Sequence, residues 1–171
     1  MKGDSSQYKP FIKRIVDFGA IEAKVIEPSN VVTADWVRLK CQFGCDGYGS
    51  SLCCPPRSPT PEQTRRTLDG YQVAILAHFG ANNRRVTGSM VALEREVFLR
   101  GYHKALGLGA GPCNLCTSCP EKGCKHPDKA RPSMEACGID VFSTARNNGY
   151  PIEVVVDGSS EQNYYGLLLI E

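Results

Sequence analysis

The stretch Tyr71-Gln72-Val73-Ala74-Ile75-Leu76-Ala77-His78-Phe79 is apolar almost without a break. It is short for a helix, and Val73 and Ile75 are β-branched, so it reads as a central strand. Just upstream, Thr60-Pro61-Glu62-Gln63 carries a helix start: Thr60 as N-cap, Pro61 at the first helical position and Gln63 in the capping-box place, with the helix running to about Leu68. Downstream, Met90, Val91, Leu93, Val97, Phe98, Tyr102, Ala105 and Leu106 recur at three- and four-residue intervals. They predict an amphipathic helix of about five turns, with Gly107 as its cap.

Further out, Pro10 to Phe18 has near-helical spacing and stops at Gly19, and Ala20 to Ile26 alternates as a strand ended by Pro28. Asp35 to Lys40 continues that alternation into Cys41. Near the other end, Ser133–Ala136 and Val141–Asn147 read as short helices, and Ile152–Val156 and Tyr164–Ile170 as a hairpin across a polar turn. Strands and helices intermix. The expectation is an α+β fold over residues 1–171 as one domain: a mixed sheet with packed helices and two cysteine loops, 41–56 and 113–137, at one end.

With 42% apolar and 22% charged residues, the composition excludes a disordered or collagen-like chain. A net charge of +2 is too mild to make nucleic acid or an anionic membrane the main partner. The start, Met1 to Gln7, lacks the apolar core of a secretory signal, and no segment is apolar over a membrane-spanning length. The expectation is therefore a cytoplasmic protein. Cysteine is the informative residue: there are nine, an odd number, and in a reducing compartment clustered cysteines serve as metal or cluster ligands in preference to disulfides.

The strongest chemical signal is Cys113-x2-Cys116-x2-Cys119, followed by Cys124. Three thiols in one compact loop can wrap a cube and present sulfur to separate irons, as in the bacterial ferredoxin run; a structural zinc usually draws two separated pairs. Here proline follows the third cysteine and the last gap is four residues, so Cys124 departs from that run. A second constellation is Cys41-x3-Cys45 with Cys53-Cys54-Pro55-Pro56. Cys54 precedes proline and is pushed to an extended conformation, in which neighbouring side chains point to opposite sides. Cys54 then serves as the ligand and Cys53 as packing. Cys41, Cys45 and Cys54 make three thiolates, for which Cys124 and Cys137 are the candidate fourth ligands.

Other features have plainer readings. Gly107 to Gly111 reads as a helix cap leading into the second cysteine loop, since a phosphate-binding glycine run would link a strand to a helix. His126 is a metal ligand or a hydrogen-bond donor to sulfur, and His78 and His103 are structural. Lys122, Lys125, Lys129 and Arg131 form either a solvated face or a set of cations that offsets cluster charge and steers an acidic redox partner. Ser133 reads as a helix N-cap.

The run Cys41-x3-Cys45, Tyr48-Gly49, Cys54-Pro55-Pro56, Cys113-x2-Cys116-x2-Cys119, Cys124, His126-Pro127, Arg131-Pro132-Ser133-Met134-Glu135-Ala136 and Gly138-Ile139-Asp140-Val141 resembles domain of unknown function family 2284. The resemblance covers nearly the whole chain, including Tyr164-Tyr165-Gly166. It implies a metal-binding protein of the kind found in anaerobic bacteria and archaea, and treats both cysteine loops as one functional unit. From these residues the expectation is one or two [4Fe-4S] clusters, two being favoured, in a protein that transfers electrons to or from a partner such as a ferredoxin or an oxidoreductase subunit. One alternative is a lyase- or desulfurase-type enzyme using an open iron on the three-cysteine site. Another is a zinc-binding interaction module.

Overall fold

The computed structural model describes residues 5–81, 83–120 and 122–171, and describes no side chain at 83 or 84. The first four residues of the N-terminal reading lie outside it, as does Glu121 in the second cysteine loop. In chain order the elements are α1 (Lys9–Asp17), β1 (Glu22–Ile26), α2 (Asp35–Gly44), α3 (Pro61–Leu68), β2 (Ala74–His78), α4 (Asn83–Leu99), β3 (Leu106–Leu108), α5 (Val141–Asn147) and β4 (Tyr165–Leu169). Short 3-10 turns lie at Ser5–Tyr8, Pro28–Asn30 and Glu135–Cys137, the last just before α5. Among the described residues no helix is long and apolar enough to cross a membrane.

The fold is α+β, and its sheet, ordered β1-β2-β4-β3, is antiparallel at every pairing, where the sequence reading expected a mixed one. Every residue of β2 and β4 is buried. The reason is coverage of both faces. Ile75, Ala77 and Leu168 pack with Phe11 and Ile15 of α1 and with Val86, Met90, Leu93 and Val97 of α4. Leu76, Leu167 and Leu169 pack on the other side with Leu68 of α3, Met134, Ile139 and α5. A strand covered on both faces keeps no polar alternation, which is why 71–79 reads as a continuous apolar run.

α3 starts as its sequence predicts. The Gln63 amide donates to Thr60 Oγ1 at 3.2 Å and the Thr60 amide donates to Gln63 Oε1 at 2.8 Å. Thr60→Ala is expected to cost about 1 kcal/mol, or roughly 2–4 °C of melting temperature, in a thermal scan.

Three expectations are corrected. Asp35–Lys40 is helical, because only Val37 of α2 turns into the core while Trp36, Leu39 and Phe43 are exposed. Those three fall at helical spacing on the outer face, while Val37 and Leu39 set against Arg38 and Lys40 mimic strand alternation within Asp35–Lys40. α4 stops at Leu99, and the chain turns at Gly101 (φ +99°), so Gly107 lies inside β3 and caps nothing. Finally, 152–156 forms no strand: Val154 and Val156 are exposed, and β4 pairs with β2 and β3.

Candidate metal centre

α2 delivers the first two thiols. Cys41 sits in its last turn and Cys45 follows its end in extended conformation (φ −131°, ψ 120°), four residues further on. The chain then folds back through tight turns. The amides of Tyr48, Gly49 and Cys54 donate to the carbonyls of Cys45 (3.1 Å), Pro55 (2.9 Å) and Ser51 (3.2 Å), returning Cys54 to the neighbourhood of Cys41. Burial pushes the Cys41 thiol up, reinforced by the nearby Cys45, Glu135 and Cys54 and opposed by Arg38. Arg38 holds α2 to the 3-10 turn by donating to Ser58 Oγ at 2.9 Å and to the Ala136 carbonyl at 2.8 Å.

The second loop is closed at its neck. The Gly109 amide donates to the Pro132 carbonyl and the Met134 amide to the Gly109 carbonyl, both at 2.9 Å. Gly109 has no room for a side chain, since a Cβ there would stand 2.0 Å from Thr87 Oγ1. Arg131 clamps the same neck to α4, with Nε 2.8 Å from Glu94 Oε2 and Nη2 2.5 Å from Glu94 Oε1. Between these ties, Cys113, Cys116, Cys119 and Cys124 line one cavity, and Cys53 from the first loop completes its wall. The Leu52 amide donates to Cys119 Sγ at 3.4 Å, so the two loops meet in space.

Over residues 24–170 the chain matches domain of unknown function family 2284, described as a predicted metal-binding protein. It belongs to this family. No match is found among curated proteins or among solved structures.

Membership of family 2284 supports a metal cofactor, and the donor chemistry fits one. Burial pushes the Cys53 thiol up to about 12, with Cys113 and Cys124 adding to the effect. Thiols gathered in this way resist ionising together, and a bound cation removes that penalty. Among the described residues, no three His, Cys, Asp or Glu side chains close round one point as a single ion requires. The chain offers thiols grouped along two loops; Cys41, Cys45 and Cys54 are the residues that would hold a metal group at the first, and the five round the cavity at the second.

Cys53, read from the sequence as packing, is the principal revision. The Cys53-Cys54 pair lies in tight turns, the Cys54 amide donating to the Ser51 carbonyl and the Arg57 amide to the Cys54 carbonyl, and not in the extended conformation expected. Its thiols still have different neighbours, Cys53 lining the second loop's cavity and Cys54 standing near Cys41. Cys137 belongs to the apolar core and is 2% exposed, and burial pushes its thiol up to about 12. His126 contributes its backbone amide, which donates to Cys124 Sγ at 3.3 Å. Of the basic stretch, Arg131 is committed to Glu94. His78 is structural, stacked on Tyr165 with ring centroids 4.9 Å apart. Ser133, expected as N-cap, stands one residue ahead of the capping position, which Met134 takes, and its hydroxyl accepts from the Ala136 amide at 3.0 Å.

Two features escaped the sequence reading. Glu135 reaches towards the first thiol set, and a lone carboxylate carries no spacing signal. A cleft of about 510 Å3 opens between α4 and the second loop, with Val91, Arg95, Cys113, Leu115 and Lys129 in its wall.

Proposed function

We propose that this chain is a cytoplasmic iron–sulfur protein that holds two [4Fe-4S] clusters and passes electrons between a partner such as a ferredoxin and an oxidoreductase subunit. The first cluster uses Cys41, Cys45 and Cys54; the second uses four of Cys53, Cys113, Cys116, Cys119 and Cys124. The observation that carries this reading is the adjacency of the two loops, with Leu52 bonded to Cys119 and Cys53-Cys54 contributing one thiol to each neighbourhood. Backbone N–H groups already point at Cys119 and Cys124 sulfur, and such bonds favour the thiolate charge and raise a cluster's potential. An exposed apolar patch also lies on α2, the helix that carries Cys41: Trp36, Leu39 and Phe43 are on its outer face, Phe43 at 79%. Exposed apolar patches of this kind mark protein contacts, and small ones suit brief redox encounters.

The test is anaerobic reconstitution of the full chain with ferrous iron and sulfide, followed by metal and sulfide analysis and paramagnetic resonance of the reduced protein. The expected content is about eight irons and eight sulfides per chain, the sum of two cubes. A colourless protein holding only zinc overturns the reading.

A second reading is favoured by the cleft. At about 510 Å3 it falls in the size range of small-molecule sites, and Cys113 is in its wall. An enzyme of the lyase or desulfurase kind would bind substrate near a cluster in this way. Substrate-dependent change in the cluster spectrum separates this reading from electron transfer.

A further inference from the structure

We infer that Glu135 is the fourth protein ligand of the first site, an oxygen donor completing Cys41, Cys45 and Cys54. The inference rests on the two-cluster reading above and assigns the position that three thiols leave open.

The argument begins with an unsatisfied atom. Glu135 Oε2 is shut off from solvent and, among the described residues, has no hydrogen-bond partner. The Glu135 amide and Ser133 donate to its carboxyl group, yet this oxygen is left over. A buried acceptor without a partner costs about 1–3 kcal/mol, more when it is charged, so a native chain that keeps one calls for an explanation, an ion among them.

Its position supplies the explanation. The 3-10 turn Glu135–Cys137 packs against α2, the helix that ends in Cys41 and Cys45. Arg38 and Ser58 both bond the Ala136 carbonyl, at 2.8 and 2.5 Å, and the Ala34 amide bonds the Gly138 carbonyl at 2.9 Å. These ties fix the turn after Glu135, and the Met134 amide, bonded to the Gly109 carbonyl at 2.9 Å, fixes it before. Cys45, Glu135, Arg38 and Cys54 all act on the Cys41 thiol, whereas Cys137 is packed in the apolar core. Cys124 is spent at the other cavity. Of the three candidates for the open position, Glu135 is the one with a buried donor atom left without a partner.

Coordination balances simply. On binding, the carboxyl proton would leave to solvent, and Oε2 would supply the lone pair that an iron lacking a thiolate needs. Oxygen is a harder and more weakly held donor to iron than thiolate, so that iron differs from its three neighbours.

The test uses the full chain carrying Cys116→Ser and Cys119→Ser, which leaves the first site alone, reconstituted with isotopically enriched ferrous iron and sulfide and examined by Mössbauer spectroscopy. About one iron in four is expected to give a distinct component with a higher isomer shift, as one oxygen-ligated corner of a cube requires. Glu135→Gln keeps the shape and removes the anionic donor; it should lose that component and at least half of the site's iron. Glu135→Ala with added acetate should regain the component, which a purely structural role would not produce. Circular dichroism checks that each variant is folded. An unchanged spectrum and iron content in Glu135→Gln overturns the assignment. Cys41→Ser and Cys45→Ser separate the two failures. If they too leave the iron unchanged, the first site itself is wrong; if they empty it while Glu135→Gln does not, only the oxygen ligand is wrong.

Discussion

Replacing Cys116 and Cys119 together by serine is expected to empty the second site, halving the iron from about eight to about four per chain and roughly halving the visible thiolate-to-iron absorbance. Five thiols line that cavity, so the double replacement leaves Cys53, Cys113 and Cys124, with no acidic side chain among the described residues of that wall to stand as a fourth donor. Serine does not substitute, because its hydroxyl holds its proton far more tightly than a thiol and binds soft metal centres poorly. Single replacements should behave differently. Cys53→Ala or Cys124→Ala each leaves four thiols and should keep most of the second site's iron. Iron analysis and absorption spectra of the three variants check this, and full iron content in the double serine variant would remove the second cluster from the account.

Gly138→Ala is expected to destabilise the whole chain by about 2–4 kcal/mol, lowering the melting temperature by roughly 5–15 °C. Gly138 has φ +74°, where a side chain is strained, and a Cβ there would stand 2.4 Å from Pro61 Cγ and 3.0 Å from Pro61 Cα. Pro61 opens α3 and cannot swing aside, because Thr60 and Gln63 lock that end of the helix. The damage reaches the first site as well. Gly138 donates to the Glu135 carbonyl at 2.8 Å and accepts from Ala34, so moving it shifts the turn that carries Glu135 against α2. A thermal scan paired with iron analysis should show both losses, and a melting point within a degree of the unaltered protein would show that the contact gives way easily.

What was legible in the sequence was local. The capping box at Thr60, the apolar run at β2 and the stop at Gly19 each depend on neighbours a few residues away, and each takes the form its residues dictate. What failed depended on partners far along the chain. The partners of β4 are β2 and β3, so the run 152–156 lost the strand it was expected to join. α2 was misread because Trp36, Leu39 and Phe43 stay exposed, and an apolar residue facing water sends a false signal about which way the backbone runs. At the site, spacing grouped Cys113, Cys116 and Cys119, which line one cavity, and Cys124, whose place the spacing left open, lines it too. Cys53 was missed because a search for one site discards whichever of two neighbours faces away. Glu135 was missed because its chemistry comes from burial, which only the packed turn reveals.

The Cys53-Cys54 pair ties the two centres into one device. Consecutive Cα atoms stand about 3.8 Å apart, so a single peptide unit joins the neighbourhoods in which these thiols lie. Filling either pocket with inorganic core pins that peptide and sets the angle at which it offers the remaining sulfur. Occupancy of one pocket should therefore favour filling of the other without being required for it, and an electron arriving at one cube would find a covalent bridge already laid to the next.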